Sequence, residues 1–242
     1  FSSRRRHTRW YFVTGVQTCA LPIFQVLYSI EQQNIPDDKY EVIIVGGNEP
    51  GYKDDLLTII PFDETKKPGW ITRKKNIITE NAKFDNIVYM HDYLVLEDDW
   101  YKNFVEKFNE PFWNCMTPIK NADGTRYRDW TLWPDDLVHV LGPWNRHYLL
   151  PYEETGLSKY MYFSGAYWIS KRSVMLEHPL DENLSWGESE DVKWSKEVRE
   201  KYGFKLNPHS SVRLLKHKSP IFADITPEML QTLKNYDALQ SK

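Results

Sequence analysis

Residues 40–45, Tyr-Glu-Val-Ile-Ile-Val, form an apolar, β-branched run closed by Gly46-Gly47, and no other stretch limits the fold as strongly. A strand that is apolar on both faces has to be covered on both faces, which is the situation of a parallel sheet between helices. The neighbouring pattern agrees. Phe24, Val26, Leu27 and Ile30 recur at helical spacing as far as Pro36; 56–60 reads as a short strand, 71–83 as an amphipathic helix, 86–90 as a strand and 98–109 as a helix with Asp98 as its N-cap. This order predicts an α/β fold with a mostly parallel central sheet and flanking helices. Ligands of such sheets sit at the carboxyl ends of the strands, so Gly46-Gly47-Asn48 and His91-Asp92-Tyr93 are the two predicted site edges.

The second half is less regular. Segments 112–119, 160–169 and 212–215 are candidate strands, and 171–177, 190–202 and 227–239 candidate helices. Residues 126–162 are rich in Trp, Tyr and Pro with little periodicity, and are expected to form a loop-rich binding region.

Composition removes whole classes of function. The 242 residues carry 31 Lys plus Arg against 34 Asp plus Glu, a formal charge of −3, which gives no general attraction for nucleic acid. No apolar run approaches the roughly 20 residues of a spanning helix, so no membrane span is predicted. Two cysteines make no disulfide framework, and a reducing, cytoplasmic setting is expected. The 10 Trp, 15 Tyr and 11 Phe suggest sugar or base stacking, although such residues more often build a core.

Residues 1–23 hold four Arg and one Cys but no acid. An Arg-rich, acid-free start suits a targeting peptide. The strings SSRRRHTR and VTGVQTCALPI, however, resemble translated sequencing-adapter read-through, and the segment is expected to be non-native. Without it, 27 bases face 34 acids, a net charge of −7. On this reading the first native strand is missing, and 11–16 fills its place only through β-propensity.

Four clusters can carry chemistry. His91-Asp92 at a strand end can hold a hard divalent cation against phosphate oxygens, though an isolated Asp there more often caps a turn. In Ser185-Trp186-Gly187-Glu188-Ser189-Glu190-Asp191 three acids enter a helix. Such acids ordinarily offset the helix dipole, yet a carboxylate beside a Trp also suits a sugar, whose apolar face stacks on the ring while the acid takes a hydroxyl proton. His217 ends the last predicted strand between two lysines and matters if Asp92 faces it, since carboxylate and imidazole together suit manganese. Arg73-Lys74-Lys75-Asn76 can bind a diphosphate or form a solvated basic helix face.

Taken in order, these pieces resemble the GT-A class of nucleotide-sugar glycosyltransferases, particularly the family 2-like ones, over most of residues 24–218. The strand YEVIIVGGN stands where that class holds the nucleotide. Gly69 to Asn76 matches its Gly-then-Arg-Asn helix, with Lys75 in the place of Arg. Met90-His91-Asp92-Tyr93 stands at the Asp-X-Asp motif, with Asp92 matched and His91 a departure. Phe163-Ser164-Gly165-Ala166-Tyr167-Trp168 and then WGESED follow, the latter one residue longer than the family pattern.

The resemblance implies a nucleotide-binding half over 24–110, an acceptor half over 111–220 and a terminal helix over 226–240. It implies transfer from a UDP- or GDP-linked sugar to a glycan or other hydroxyl acceptor, with inversion. Donor contacts would come from Gly46, Gly47, Asn48, Lys75, Asn76, His91 and Asp92, and Mn2+ or Mg2+ would sit on Asp92 and His217. Asp191 would be the general base, Glu190 would bind sugar and Glu188 would be a rival base. Trp130, Trp133, Gly165, Trp186 and Gly187 would meet the acceptor, with Trp144 in the covering loop. A carbohydrate-binding protein that keeps the fold without catalysis is the alternative. An oxidoreductase reading fails on the spacing of Gly46, Gly47 and Gly51, and a His-Asp phosphohydrolase lacks matching helical histidines.

Overall fold

The computed structural model describes residues 12–15, 20–47, 55–108, 110–143, 147–218 and 222–240. Its strands in chain order are β1 (Phe12–Gly15), β2 (Val42–Val45), β3 (Leu57–Ile60), β4 (Asn86–His91), β5 (Leu94–Leu96), β6 (Asn114–Met116), β7 (Ile119–Lys120), β8 (Thr131–Leu132), β9 (His147–Leu149), β10 (Met161–Tyr162), β11 (Tyr167–Lys171), β12 (Lys205–Leu206), β13 (Val212–Leu214) and β14 (Phe222–Asp224). The helices are α1 (Ala20–Glu31), α2 (Ile71–Asn81), α3 (Trp100–Lys107), α4 (Pro134–Leu141), α5 (Arg172–Glu177), α6 (Glu190–Tyr202) and α7 (Pro227–Gln240). None of the described helices is long and apolar enough to cross a membrane.

The main sheet runs β12-β6-β11-β4-β1-β2-β3. Strands β4, β1, β2 and β3 are parallel, β11 is antiparallel to both of its neighbours, and β12 is parallel to β6. All four residues of β2 and all six of β4 are buried, as the apolar run of β2 and the apolar centre of β4 require. Two small sheets, β10-β8-β9-β14 and β5-β13-β7, extend it. The place of a first strand, between β4 and β2, is occupied by Phe12–Gly15, within the segment expected to be non-native. Helix α1 likewise starts inside that segment, at Ala20 rather than Phe24, because the first turn of a helix tolerates Pro22.

Several sequence expectations are corrected. The strand read over 112–119 divides into β6 and β7, which belong to different sheets, around Pro118, a residue that cannot donate to a ladder. The strand read over 160–169 divides into β10 and β11 around the turn at Ser164-Gly165. The loop-rich 126–162 contains β8, α4 and β9, elements too short for periodicity to reveal. Helix α3 begins at Trp100 as expected, but the residue before it is Asp99, left-handed at φ 58° and without a side-chain cap, so Asp98 is not the N-cap.

Most aromatics build the core. Tyr89 stacks on Trp168 with ring centres 4.6 Å apart, Trp168 meets Trp194 at 5.7 Å, and Phe163 packs on Phe204 at 4.1 Å. These rings form the floor under the carboxyl end of β4.

Candidate active site

Strands β4 and β11 are antiparallel with Met90 opposite Tyr167, so the end of one meets the start of the other. The His91 N–H donates to the Ala166 carbonyl at 3.0 Å, which sets the Ser164-Gly165-Ala166 turn beside the imidazole. Helix α6 begins against the same turn. The Gly165 N–H donates to Asp191 Oδ2 at 2.6 Å, and a β-carbon on residue 165 would stand 3.0 Å from that oxygen and 3.1 Å from Glu190 Oε1. Glycine is therefore needed for the close approach of turn and helix, rather than for an unusual backbone angle. The loop that delivers α6 turns through Gly187 at φ 85° and Ser189 at φ 60°, leaving Trp186 66% exposed.

These elements enclose a cavity of about 230 Å³ whose walls differ in charge. Glu190 and Asp191 supply its carboxylates, Arg128, Lys218 and His91 its nitrogens, and Trp186 an apolar face; the two charges meet where Arg128 pairs with Asp191 at 2.7 Å. Asp191 accepts three hydrogen bonds: Oδ2 from Arg128 Nη2 at 2.7 Å and from Gly165, and Oδ1 from the Val192 N–H at 2.9 Å. Glu190 has no side-chain donor among the described residues. Burial and the neighbouring Asp191 raise its pKa, with Lys75 opposing.

The basic groups are set by the same forces. Burial works against the charge of Arg128, but Asp191 and the Tyr162 phenol outweigh it and hold the guanidinium protonated. Burial, with Lys216 and Arg128 nearby, brings Lys218 down to about 8. Burial and then Lys75, Lys218, Lys216 and Lys74 push His91 well below its ordinary pKa, so the ring is neutral at pH 7. Its Nδ1 lies 2.8 Å from Tyr93 Oη, and its buried Nε2 has no partner among the described residues.

The other expected site residues are placed less uniformly. Gly187 lines the cavity with Gly165 and Trp186. Trp130 is fully buried, edge-on to Tyr152 at 4.6 Å, and is core rather than an acceptor platform. Trp133 packs edge-on to Tyr162 at 5.3 Å and does not line the cavity. Glu188 folds back to accept from the Ser185 N–H at 2.6 Å, closing its own loop. Lys75 passes beneath the cavity to the Gly165 carbonyl, with its Nζ 4.4 Å from the Trp168 ring centre. Burial lowers it to about 8 against the pull of Glu190 and Asp191. Asn76 turns away from the cavity, donating to the Leu180 carbonyl at 2.9 Å and accepting from the Leu180 N–H at 3.0 Å.

Gly46 and Gly47 are left-handed at φ 85° and 83°, and a β-carbon at Gly46 would lie 2.9 Å from Glu64 Oε1, which pairs with Lys74 across the strand tip. Asn48 and Trp144 lie outside the described residues. Asp92 is buried and does not line the cavity, although both of its neighbours do. His217 is half exposed with Nδ1 3.2 Å from Asp123 Oδ2, so it is not brought to Asp92. Among the described residues no three His, Cys, Asp or Glu side chains converge on a metal position.

Arg128 and Lys218 were not among the sequence candidates, and Tyr93 was named at the strand end without a role. Arg128 lay within the segment singled out for binding. Its signal was an arginine two residues after Arg126 in a stretch rich in aromatic residues; Arg126 instead serves the buried Asp129, at 2.7 Å.

No family model matches the chain, and no curated protein does. Solved structures do. GalNAc-T7, solved with UDP, GalNAc and Mn2+, superposes at a TM-score of 0.60 with 12% identity, over 95% of this chain and 48% of that one. The mannosyltransferase PcManGT from Pyrobaculum calidifontis, solved with GDP-Man and Mn2+, superposes at 0.58 with 16% identity, over 88% of this chain and 58% of that one. The chain thus spans about half the length of the solved chains it matches, and it has their fold, the GT-A fold.

Proposed function

We propose that this chain is a glycosyltransferase that moves a sugar from a UDP- or GDP-linked donor to the hydroxyl of a glycan or other acceptor. The observation that carries this reading is the gathering of two carboxylates, Arg128, Lys218, His91 and an exposed Trp on one cavity, at the strand end where α/β folds bind ligands. A diphosphate leaving group suits Arg128 and Lys218, whose positive charge can meet the charge that develops as the bond to the sugar breaks, with the His91 ring beside them. Trp186 offers a face for the apolar side of a sugar ring. The acceptor oxygen, attacking from the face opposite the diphosphate, passes its proton to a carboxylate and inverts the anomeric carbon.

The resemblance assigns that proton to Asp191. In this structure both of its oxygens accept hydrogen bonds, from Gly165, Arg128 and Val192, whereas Glu190 is held by no other side chain among the described residues and burial and Asp191 raise its pKa. We therefore assign Glu190 as the base and Asp191 as the anchor that fixes Arg128 and the Gly165 turn. Both neighbours were solved with Mn2+. The residues expected to hold Mn2+ or Mg2+ here, Asp92 and His217, do not form a ligand set, so the steps above use only this chain's own groups.

The exposed Trp186 would serve a non-catalytic carbohydrate-binding protein equally well. Release of nucleoside diphosphate from a panel of UDP- and GDP-sugars, with and without saccharide acceptors, separates the two readings. Wild type is expected to release diphosphate from one donor, faster with acceptor. Glu190→Gln should slow release by about 100-fold or more while calorimetry shows donor binding retained. Binding without release by wild type would leave the binding protein, and neither binding nor release across the panel would end the assignment.

A further inference from the structure

The basic groups of the cavity include a chain of hydrogen bonds that the transfer reaction as described leaves unused. Lys218 Nζ donates to Tyr93 Oη at 2.8 Å, and the same oxygen lies 2.8 Å from His91 Nδ1. An ammonium can only donate, so Lys218 occupies a lone pair of the phenol and leaves the hydroxyl hydrogen to find an acceptor. His91 Nδ1 is the acceptor in reach, and a hydrogen left unplaced in a largely buried site is unfavourable. Once Nδ1 accepts, the hydrogen of a neutral imidazole sits on Nε2. That atom is buried and without a partner among the described residues, on a ring that lines the cavity. The phenol is well held, with Lys216 and Lys218 4.3 and 4.2 Å from its ring centre and His91 edge-on at 5.2 Å.

We propose that Lys218, Tyr93 and His91 form a relay that sets the imidazole tautomer, so that the tip of β4 presents an Nε2–H donor to diphosphate oxygens and is closed to a divalent cation. A metal needs the lone pair that this tautomer has covered with hydrogen. Lys218 and Arg128 then provide the positive charge. Tyr93 is a positioning residue, acting through His91, while Lys218 both fixes the phenol and lends its charge to the diphosphate. The naming of a diphosphate rests on the glycosyltransferase reading; the tautomer does not.

The test has two readouts on the full chain. The first is the nitrogen spectrum of the 15N-labelled histidines, which reports the protonated ring nitrogen without any ligand. Wild type and Lys218→Arg, which keeps the donor, are expected to show His91 protonated on Nε2, and Tyr93→Phe to lose that preference. The second is calorimetric binding of UDP, GDP and inorganic pyrophosphate, each with Mn2+ and with a chelator. Affinities should agree within about twofold between the two conditions and fall about tenfold in Tyr93→Phe, the loss of one hydrogen bond to a charged group.

An Nδ1–H tautomer in wild type, or a loss of more than about tenfold on chelation, would overturn the relay. Diphosphate release from a sugar donor would still support the transferase if that happened. Pyrophosphate binding with the Nε2–H tautomer but no UDP or GDP binding would keep the relay and remove the transferase. Failure of all three anions to bind would overturn the proposed role of the relay.

Discussion

A β-carbon on residue 165 would lie 3.0 Å from Asp191 Oδ2, 3.1 Å from Glu190 Oε1 and 3.3 Å from Asp191 Cβ, closer than side chains normally tolerate. Gly165→Ala must therefore move both carboxylates by a few tenths of an ångström and lengthen the bond from the Gly165 N–H. Misplacements of this order are costly to a reaction that depends on alignment but modest for overall stability. Diphosphate release is expected to fall by about tenfold or more, with a melting temperature within a few degrees of wild type. Unchanged release would show that the carboxylates need no such approach. The sequence exposed Gly165 as a small residue beside the site, but the neighbour that requires it, 26 positions later, is visible only in three dimensions.

At the scale of elements, α6 is the most legible: its range of 190–202 follows directly from the pattern, because acids at its start and Gly203 at its end mark both termini. Helix α2 is less so. Its Lys74, Lys75 and Asn76 read as a solvated basic face or a donor site, yet all three are buried. Asn76 instead clamps the backbone of Leu180 from both sides, tying α2 to the segment that leads into the α6 loop. Asn76→Ala leaves a buried N–H and a buried C=O without partners, a loss of about 2–3 kcal/mol. A lower urea midpoint with nucleotide affinity little changed in the folded protein is the expected outcome. A weaker affinity at unchanged stability would return Asn76 to the donor site.

For the whole molecule, burying cations beneath the site has a consequence for stability against pH. Lys75 has a native pKa of about 8, lowered first by burial, against about 10.4 in an unfolded chain. Between those values the unfolded chain holds a proton that the native form has released, so Lys75 makes stability rise with pH, by up to about 1.4 kcal/mol per unit. The strain is fully present below about pH 8 and relieved above it. Buried Cys115, whose thiol is held well above its ordinary pKa, pulls the other way. Comparing urea unfolding near pH 8 and near pH 10 in wild type and Lys75→Met cancels that opposing contribution. Lys218, also brought down to about 8, keeps its own upward share, so the variant should lose only the part due to Lys75; identical pH slopes would show that Lys75 is not buried as a strained cation.

Continuous apolar strands, helical spacing and glycine stops were enough to specify an α/β fold and the ligand edge of its sheet, because burial on both faces of a strand is a local property of composition. The pairing of Asp191 with Arg128, the turn of His217 to Asp123, the core position of Trp130 and the closing of Tyr93 on His91 were beyond reach. A side chain's partner is fixed by which distant segments the sheet order brings together, and a carboxylate or an imidazole reads the same in sequence whether it faces solvent, a neighbour or a cavity.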